Sequence, residues 1–188
     1  MEVRFENLGF YNIDTDYLKY LNGIDPEVQF TEEKDYRMKP FLGIVVAINC
    51  YYYFIPLTSS KPKHTKWKNV GPAHYLIYEQ VKITELSKRD IFKTIAATEA
   101  LKIFAALDLK KMIPVPKDLY TRIDFASLAD KKYADLLEKE YRFCQKLQGG
   151  ILSKVTQIYT EQKNTGKIHP MFCNFTKLEE ACNKYIPL

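Results

Sequence analysis

One long window of this chain lacks acidic residues: no Asp or Glu occurs between Asp35 and Glu79. The same window holds Arg37, Lys39, Lys61, Lys63, Lys66 and Lys68. The chain has 28 basic and 23 acidic residues, a net charge of +5, so the excess is concentrated there and the remainder is close to neutral. A local positive field is the footprint of a polyanionic partner; the competing reading is a solvated lysine-rich loop. Without carboxylates the window also lacks the hard oxygen ligands that a Mg²⁺ or Ca²⁺ site needs. Other absences narrow the field further. No apolar run approaches the roughly 20 residues of a membrane span, and Met1–Glu6 contains no apolar stretch of a secretory signal. Cys50, Cys144, Cys173 and Cys182 form no C-x-x-C pair and, with three scattered histidines, no zinc spacing. Free thiols without a signal imply a cytoplasmic protein with no membrane association. There is no Walker loop, G-x-G-x-x-G, H-E-x-x-H or G-x-S-x-G elbow. Internal repeats and low-complexity tracts are also absent.

What is present fits one domain spanning residues 1–188, with 46% apolar and 27% charged residues. Fourteen tyrosines accompany a single tryptophan; tyrosines fill cores, but they also stack on bases. Phe10–Ile13 reads as a short strand. Asp14 or Thr15 caps a helix through Tyr17, Leu18, Tyr20 and Leu21 that Gly23 ends. Residues 25 to 38 read as a loop. Phe41–Ile48 is rich in β-branched residues and reads as a buried strand, with Asn49-Cys50 turning it into an antiparallel Tyr51–Leu57. Ala73–Val81 reads as a third strand and Lys88–Ala100 as a helix. Leu101–Leu107, Lys111–Val115 and Ile123–Phe125 read as extended. Apolar residues from Ala126 to Gln148 recur at helical steps. Gly149-Gly150 interrupts that pattern before a helix at Ile151–Gln162, and a last helix is capped by Thr176 or Asn174. Strands first and helices later predict an α+β fold with a mainly antiparallel sheet.

The chemistry concentrates at Phe54–Lys68. An apolar strand ends at Leu57, and Thr58, Ser59, Ser60, Lys61, Lys63, His64, Lys66, Trp67 and Lys68 follow. Hydroxyls and ammonium groups at a strand's end are donors suited to a phosphate. In metal-free RNA cleavage the adjacent 2′-hydroxyl is the nucleophile. The protein then orients the phosphodiester and stabilises charge on the non-bridging oxygens. Trp67 or a nearby tyrosine can hold a splayed base by stacking. A histidine pair acting as acid and base would need His64, His74 or His169 to meet across the fold. The structural alternative is that Thr58 and Ser59 merely cap the loop.

At these residues the chain resembles the ToxN/AbiQ endoribonucleases, toxins of type III toxin–antitoxin and phage abortive-infection systems. The resemblance rests on five landmarks in order: Phe10-Tyr11 with Tyr17–Leu21; Lys39-Pro40-Phe41-Leu42-Gly43-Ile44-Val45; Tyr53–His64 with its Pro-Leu-Thr-Ser-x-Lys core; Lys111–Val115; and Cys173–Glu180. It implies a strongly twisted antiparallel sheet akin to the Kid/MazF toxins, with packed helices. It also implies a metal-independent endoribonuclease without cofactors that leaves a 2′,3′-cyclic phosphate and a 5′-hydroxyl. The implied partners are cellular or phage RNA and a structured antitoxin RNA, which the toxin cuts from tandem repeats and holds in a toxin–RNA hetero-oligomer. Carried over by motif, Thr58, Ser59, Lys61 and Lys39 are catalytic and Tyr17 lies near the RNA. Lys63, His64, Lys66, Trp67 and Lys68 bind RNA on either side of the cut. Where the family often has Pro directly after the Ser, this chain has Ser60, and Pro62 follows Lys61. Two readings of other classes compete: a non-catalytic RNA-binding protein using the same basic face, and an enzyme with Ser59 as covalent nucleophile.

Overall fold

The computed structural model describes residues 5–30, 40–48 and 51–186, with 5–7 and 44–48 as backbone alone. Among these, eight strands run in chain order: β1 (Phe5–Ile13), β2 (Phe41–Ile48), β3 (Tyr51–Ser59), β4 (His74–Lys82), β5 (Ile91–Thr94), β6 (Glu99–Asp108), β7 (Ile113–Pro114) and β8 (Tyr120–Arg122). Four α-helices join them: α1 (Thr15–Ile24), α2 (Lys131–Lys146), α3 (Gln148–Thr165) and α4 (Phe175–Lys184). The strands form one sheet in the order β4-β6-β3-β2-β1-β8, with β5 on β6 and β7 on β3. Every pairing is antiparallel, as the α+β reading predicts.

Strand β3 joins the two halves of the sheet. Its first part, Tyr51–Pro56, pairs with β2, and Tyr53 and Phe54 also pair with β7. Its last three residues cross to β6, where Leu57, Thr58 and Ser59 lie opposite Leu107, Ala106 and Ala105. The sheet is irregular near this crossing. Gly43 faces Phe54 but Val46 faces Tyr53, so β2 carries extra residues there. A Cβ on Gly43 would stand 2.4 Å from the Tyr11 ring and 2.9 Å from that of Phe54, so only glycine fits at this position. In β6, Phe104 is the extra residue of a bulge, because Ala105 faces Ile77 while Ile103 faces Tyr78.

Side chains alternate across the sheet and fill two cores. Tyr75, Ile77, Ala105 and Leu107 join the main core with Phe10, Phe54 and Ile55, covered by residues of all four helices. Leu76, Ile103 and Ala106 form a small core on the other face, capped by Trp67, Tyr78 and Ile91. The helices start where short polar side chains accept from the first turn. Asp14 accepts from Tyr17 N (2.9 Å), Asp130 from Tyr133 N (3.1 Å) and Asn174 from Lys177 N (3.1 Å). Buried Glu179 ties α4 to the sheet, with the hydroxyls of Tyr53 and Tyr159 each donating to Oε1 at 2.7 Å and Lys163 donating to Oε2 at 2.6 Å.

Three expectations need correction. Lys88–Ala100 is not a helix. Ile91–Thr94 pairs with Ala100–Ile103 as a hairpin, Asp90 closes the preceding turn by accepting from Ser87 N at 2.8 Å, and Ile91 and Lys93 face inward while Phe92 and Thr94 face out. Pairing with β6 outweighs local helix propensity here. Gly149 and Gly150 do not break the helices apart. Helix α2 stops at Lys146 and both glycines sit in the first turn of α3, where a Cβ on Gly150 would approach Tyr75 Oη to 3.0 Å. The extended piece near residue 123 lies slightly earlier, at Tyr120–Arg122, and Phe125–Ser127 is a 3-10 turn. The turn expected at Asn49-Cys50 lies outside the described residues.

Candidate active site

The sheet presents the end of β3 at its rim. Leu57 is buried, Thr58 half-buried and Ser59 exposed, so the strand emerges from the core within three residues. The Thr58 hydroxyl lies against the side-chain amide of Gln29, 3.1 Å from Nε2 and 3.3 Å from Oε1. Gln29 thereby fixes the one hydroxyl of the motif that is not free in solvent. Ser60 N donates to Phe104 O at 3.0 Å, which prolongs the ladder by one bond into the β6 bulge.

Lys61 is extended (φ −135°, ψ 156°) and exposed, and Pro62 then begins a 3-10 turn, Pro62–Lys66. Proline is pre-set for that position because its φ is fixed and its missing N–H would be unpaired there anyway. His64 closes the turn from beneath. Its N–H donates to Lys61 O at 2.8 Å, and Lys61 N–H donates back to His64 Nδ1 at 3.1 Å. The second bond makes Nδ1 an acceptor and puts the ring proton on Nε2. The ring is 0% exposed, and Nε2 has no hydrogen-bond partner among the described residues. Burial, followed by the ammonium groups of Lys63 and Lys61 and the His74 ring, lowers its pKa from 6.5 to about 4. His64 is therefore a neutral brace under Lys61, and its ring is not placed to touch RNA as the sequence reading expects.

Trp67 also differs from expectation. Its ring packs against His64 (centroids 4.6 Å apart) and His74 (4.5 Å), with Lys63 Nζ 5.5 Å and Lys110 Nζ 5.9 Å from its centroid. It also covers the small core. Lys93 Nζ donates to Trp67 O and, at 2.9 Å, to Asn69 Oδ1. The indole thus anchors the loop, which leaves no free platform for a base. His74 accepts or donates at Lys68 O (3.0 Å), and burial lowers its pKa. His64 and His74 flank one indole as structural rings, and His169 lies apart beside Phe172 and Glu161. The acid–base histidine pair therefore has no geometry here.

Tyr17 is a further correction. It is 0% exposed, its hydroxyl donates to Pro114 O at 2.8 Å, and burial raises its pKa well above the usual tyrosine value. A tyrosine at a helix start reads equally well as an RNA contact or as core; the fold makes it core. Lys39 lies outside the described residues. Lys61, Lys63, Lys66 and Lys68 are all exposed, and none is paired with a carboxylate among the described residues. The sequence gave no signal for Gln29, which sits in a polar loop, or for Lys93, which lies in a segment that reads as helix.

An exposed serine, a braced threonine and a caged lysine thus lie at one strand's end, beside three more unpaired ammonium groups. Residues 9–183 match the model of the family described as toxin ToxN, type III toxin–antitoxin system. The chain belongs to this family. It is 28% identical over 189 residues to the endoribonuclease ToxN of Bacillus thuringiensis subsp. kurstaki, covering 96% of this chain and 85% of that protein. It is 29% identical over 175 residues to the endoribonuclease ToxN of Pectobacterium atrosepticum, covering 91% and 90%. Among solved structures, it is similar to one from work on selective inhibition of a type III toxin by a non-coding RNA pseudoknot, with a TM-score of 0.73, 26% identity, and 96% and 98% of the two chains covered. It also shares the fold of AbiQ, a lactococcal anti-phage endoribonuclease, with a TM-score of 0.72, 20% identity, and 95% and 97% covered. None of the described helices is long and apolar enough to cross a membrane.

Proposed function

We propose that this chain is a metal-independent, sequence-specific endoribonuclease, the toxin of a type III toxin–antitoxin anti-phage system. The observation that carries the reading is the end of β3, where exposed Ser59 and Lys61 flank Ser60 and Thr58 is held by Gln29. An RNA strand laid over this rim meets two hydroxyl donors and an ammonium group without displacing any packed side chain. Ser59 and Thr58 orient the scissile phosphate by donating to its non-bridging oxygens. The 2′-hydroxyl of the preceding ribose loses its proton and attacks phosphorus in line. Lys61 stabilises the added negative charge of the pentavalent transition state, with Lys39 assisting. The bond to the 5′-oxygen breaks, and that oxygen takes up a proton. The products are a 2′,3′-cyclic phosphate and a 5′-hydroxyl, and neither step needs a metal or a covalent protein adduct. Removing one preorganised donor of this kind costs about 2.7–4 kcal/mol in the barrier.

Lys63, Lys66 and Lys68 hold phosphates on either side of the cut. The same surface takes the antitoxin, a structured RNA that the toxin releases from a tandem-repeat precursor and keeps bound in a toxin–RNA assembly. The relatives support this, because one solved neighbour is inhibited by an RNA pseudoknot and another belongs to an antiviral system regulated by a processed non-coding RNA. The test is to incubate purified protein with end-labelled RNA in EDTA and determine the new termini. Cyclic-phosphate ends that vanish in Ser59→Ala and Lys61→Ala are expected. Binding without cleavage would make the chain an RNA-binding protein instead, and cleavage that EDTA abolishes would overturn metal independence.

A further inference from the structure

A cleft of about 370 Å³ opens beside Ser60, between the β6 bulge, the turn before β5 and the outer face of α2. It is within the range of about 300–1,000 Å³ that ligand sites occupy. Its floor is Phe104, the extra residue of the bulge, which packs against the main core with its ring half-exposed. Lys139 Nζ stands 5.7 Å from that ring's centroid. Arg89 and Lys132 face each other across the opening; both are exposed, and neither has a carboxylate partner among the described residues. Of the two carboxylates in the lining, Asp90 is already used by Lys102 (3.0 Å) and by Ser87 N (2.8 Å), which leaves Asp135 against Arg89, Lys132 and Lys139. The cleft is therefore cationic at its rim and aromatic at its base.

Its position connects it to the proposed chemistry. Ser59 pairs with Ala105, so the two residues share a face, and Phe104 and Ala105 both lie on the main-core side of the sheet. Ser60, the residue between Ser59 and Lys61, lines the cleft and bonds to Phe104 O. A strand with its scissile phosphate at Ser59 and Lys61 therefore passes directly over the opening. We propose that the cleft is a flanking-nucleotide site, in which one unpaired base next to the cut lies on Phe104 and its phosphate sits between Arg89 and Lys132. The proposal rests on the endoribonuclease reading and adds to it the place where cut-site preference is set. An aromatic floor accepts any base face, and the walls select by shape and by the polar groups at the base edge.

The test uses the full chain and a random-sequence single-stranded RNA pool, with cut sites mapped by sequencing the new 5′-hydroxyl ends. Phe104→Leu keeps an apolar side chain in the core but removes the ring, and a thermal melt confirms folding. It should flatten the base preference at one position next to the cut by at least ~5-fold. The surface double variant Arg89→Gln/Lys132→Gln should raise KM by at least ~5-fold with kcat within about twofold, and should make the salt dependence of binding shallower by about 1.4 in log–log slope. Wild-type cut-site profile and KM in both variants would overturn the flanking site while leaving the nuclease reading intact. If the unmodified protein makes no cuts that Lys61→Ala abolishes, the nuclease reading itself fails and the flanking site falls with it.

Discussion

Replacing His64 separates packing from positioning at the candidate active site. The imidazole fills a buried space against Trp67 and offers Nδ1 to Lys61 N–H at 3.1 Å. His64→Phe keeps an aromatic ring on the indole but removes the acceptor. The Lys61 N–H then loses a bond worth about 1 kcal/mol net and, where it stays out of water, costs about 1–3 kcal/mol as an unpaired donor. The turn answers by moving, and a 1 Å displacement of a catalytic group can cost on the order of 100-fold in rate. His64→Asn makes the opposite exchange, because its Oδ1 is bonded to Cγ just as Nδ1 is and can accept the same proton, while the ring is lost. Under single-turnover cleavage of a labelled RNA, His64→Phe should lose at least ~10-fold in rate at saturation with little change in half-saturation, whereas His64→Asn should stay within about threefold of wild type. The pH profile gives a second readout. The ring must be neutral to accept, and it stays neutral down to about pH 4. The wild-type rate should therefore show an acid limb near that pH that His64→Asn lacks. Folding is linked in the same direction. Because the folded pKa lies below the unfolded value of about 6.5, stability is lost as pH falls from there toward 4. Full activity in His64→Phe, or equal loss in both variants, would refute the positioning argument.

Two further predictions concern the scaffold. Burial pushes the Glu140 carboxyl up to about 8, so the folded chain keeps a proton that the unfolded chain has released. Stability should therefore decline as pH rises from about 4.5 to about 8 and then level off, and Glu140→Gln should remove that slope and gain on the order of 3–5 kcal/mol at pH 9. Chemical denaturation at a series of pH values checks this, and a Glu140→Gln curve parallel to wild type would contradict it. Glu179→Ala would orphan the hydroxyls of Tyr53 and Tyr159 and the Lys163 ammonium. It should cost about 3 kcal/mol or more, or roughly 6–12 °C in melting midpoint, and Glu179→Gln should cost about half as much. A melting midpoint for Glu179→Ala within about 2 °C of wild type would count against a stabilising network there.

Much of the sheet was legible because its signals are local. Phe41–Ile48 and Tyr51–Ser59 are dense in β-branched and aromatic residues, and Asp14 and Asn174 sit where caps belong. The hairpin at Ile91–Asp108 was not legible, because Ile91, Phe92 and Ile95 also fit a helical step and only pairing with β4 and β6 decides between the two. The polar strand end and its lysines were visible as types in order. Their exposure depends on where β3 leaves the core, which the sequence marks only by the change from Leu57 to Thr58. Tyr17, His64 and Trp67 misled for one shared reason. Aromatic and imidazole side chains serve cores and RNA sites alike, and burial alone separates the two roles. Gln29 reaches Thr58 across 29 positions of sequence, a contact that no local pattern encodes.

The claim beneath all of this is that the substrate supplies its own nucleophile while Ser59 and Lys61 only hold and stabilise. It is tested most directly with an oligoribonucleotide carrying a single 2′-deoxy substitution at the ribose on the 5′ side of the mapped cut. The account predicts that cleavage at that linkage disappears while binding and cleavage elsewhere are unchanged. Cleavage of the deoxy linkage at a rate near that of the ribose, or a trapped phosphoryl adduct on Ser59, would contradict it.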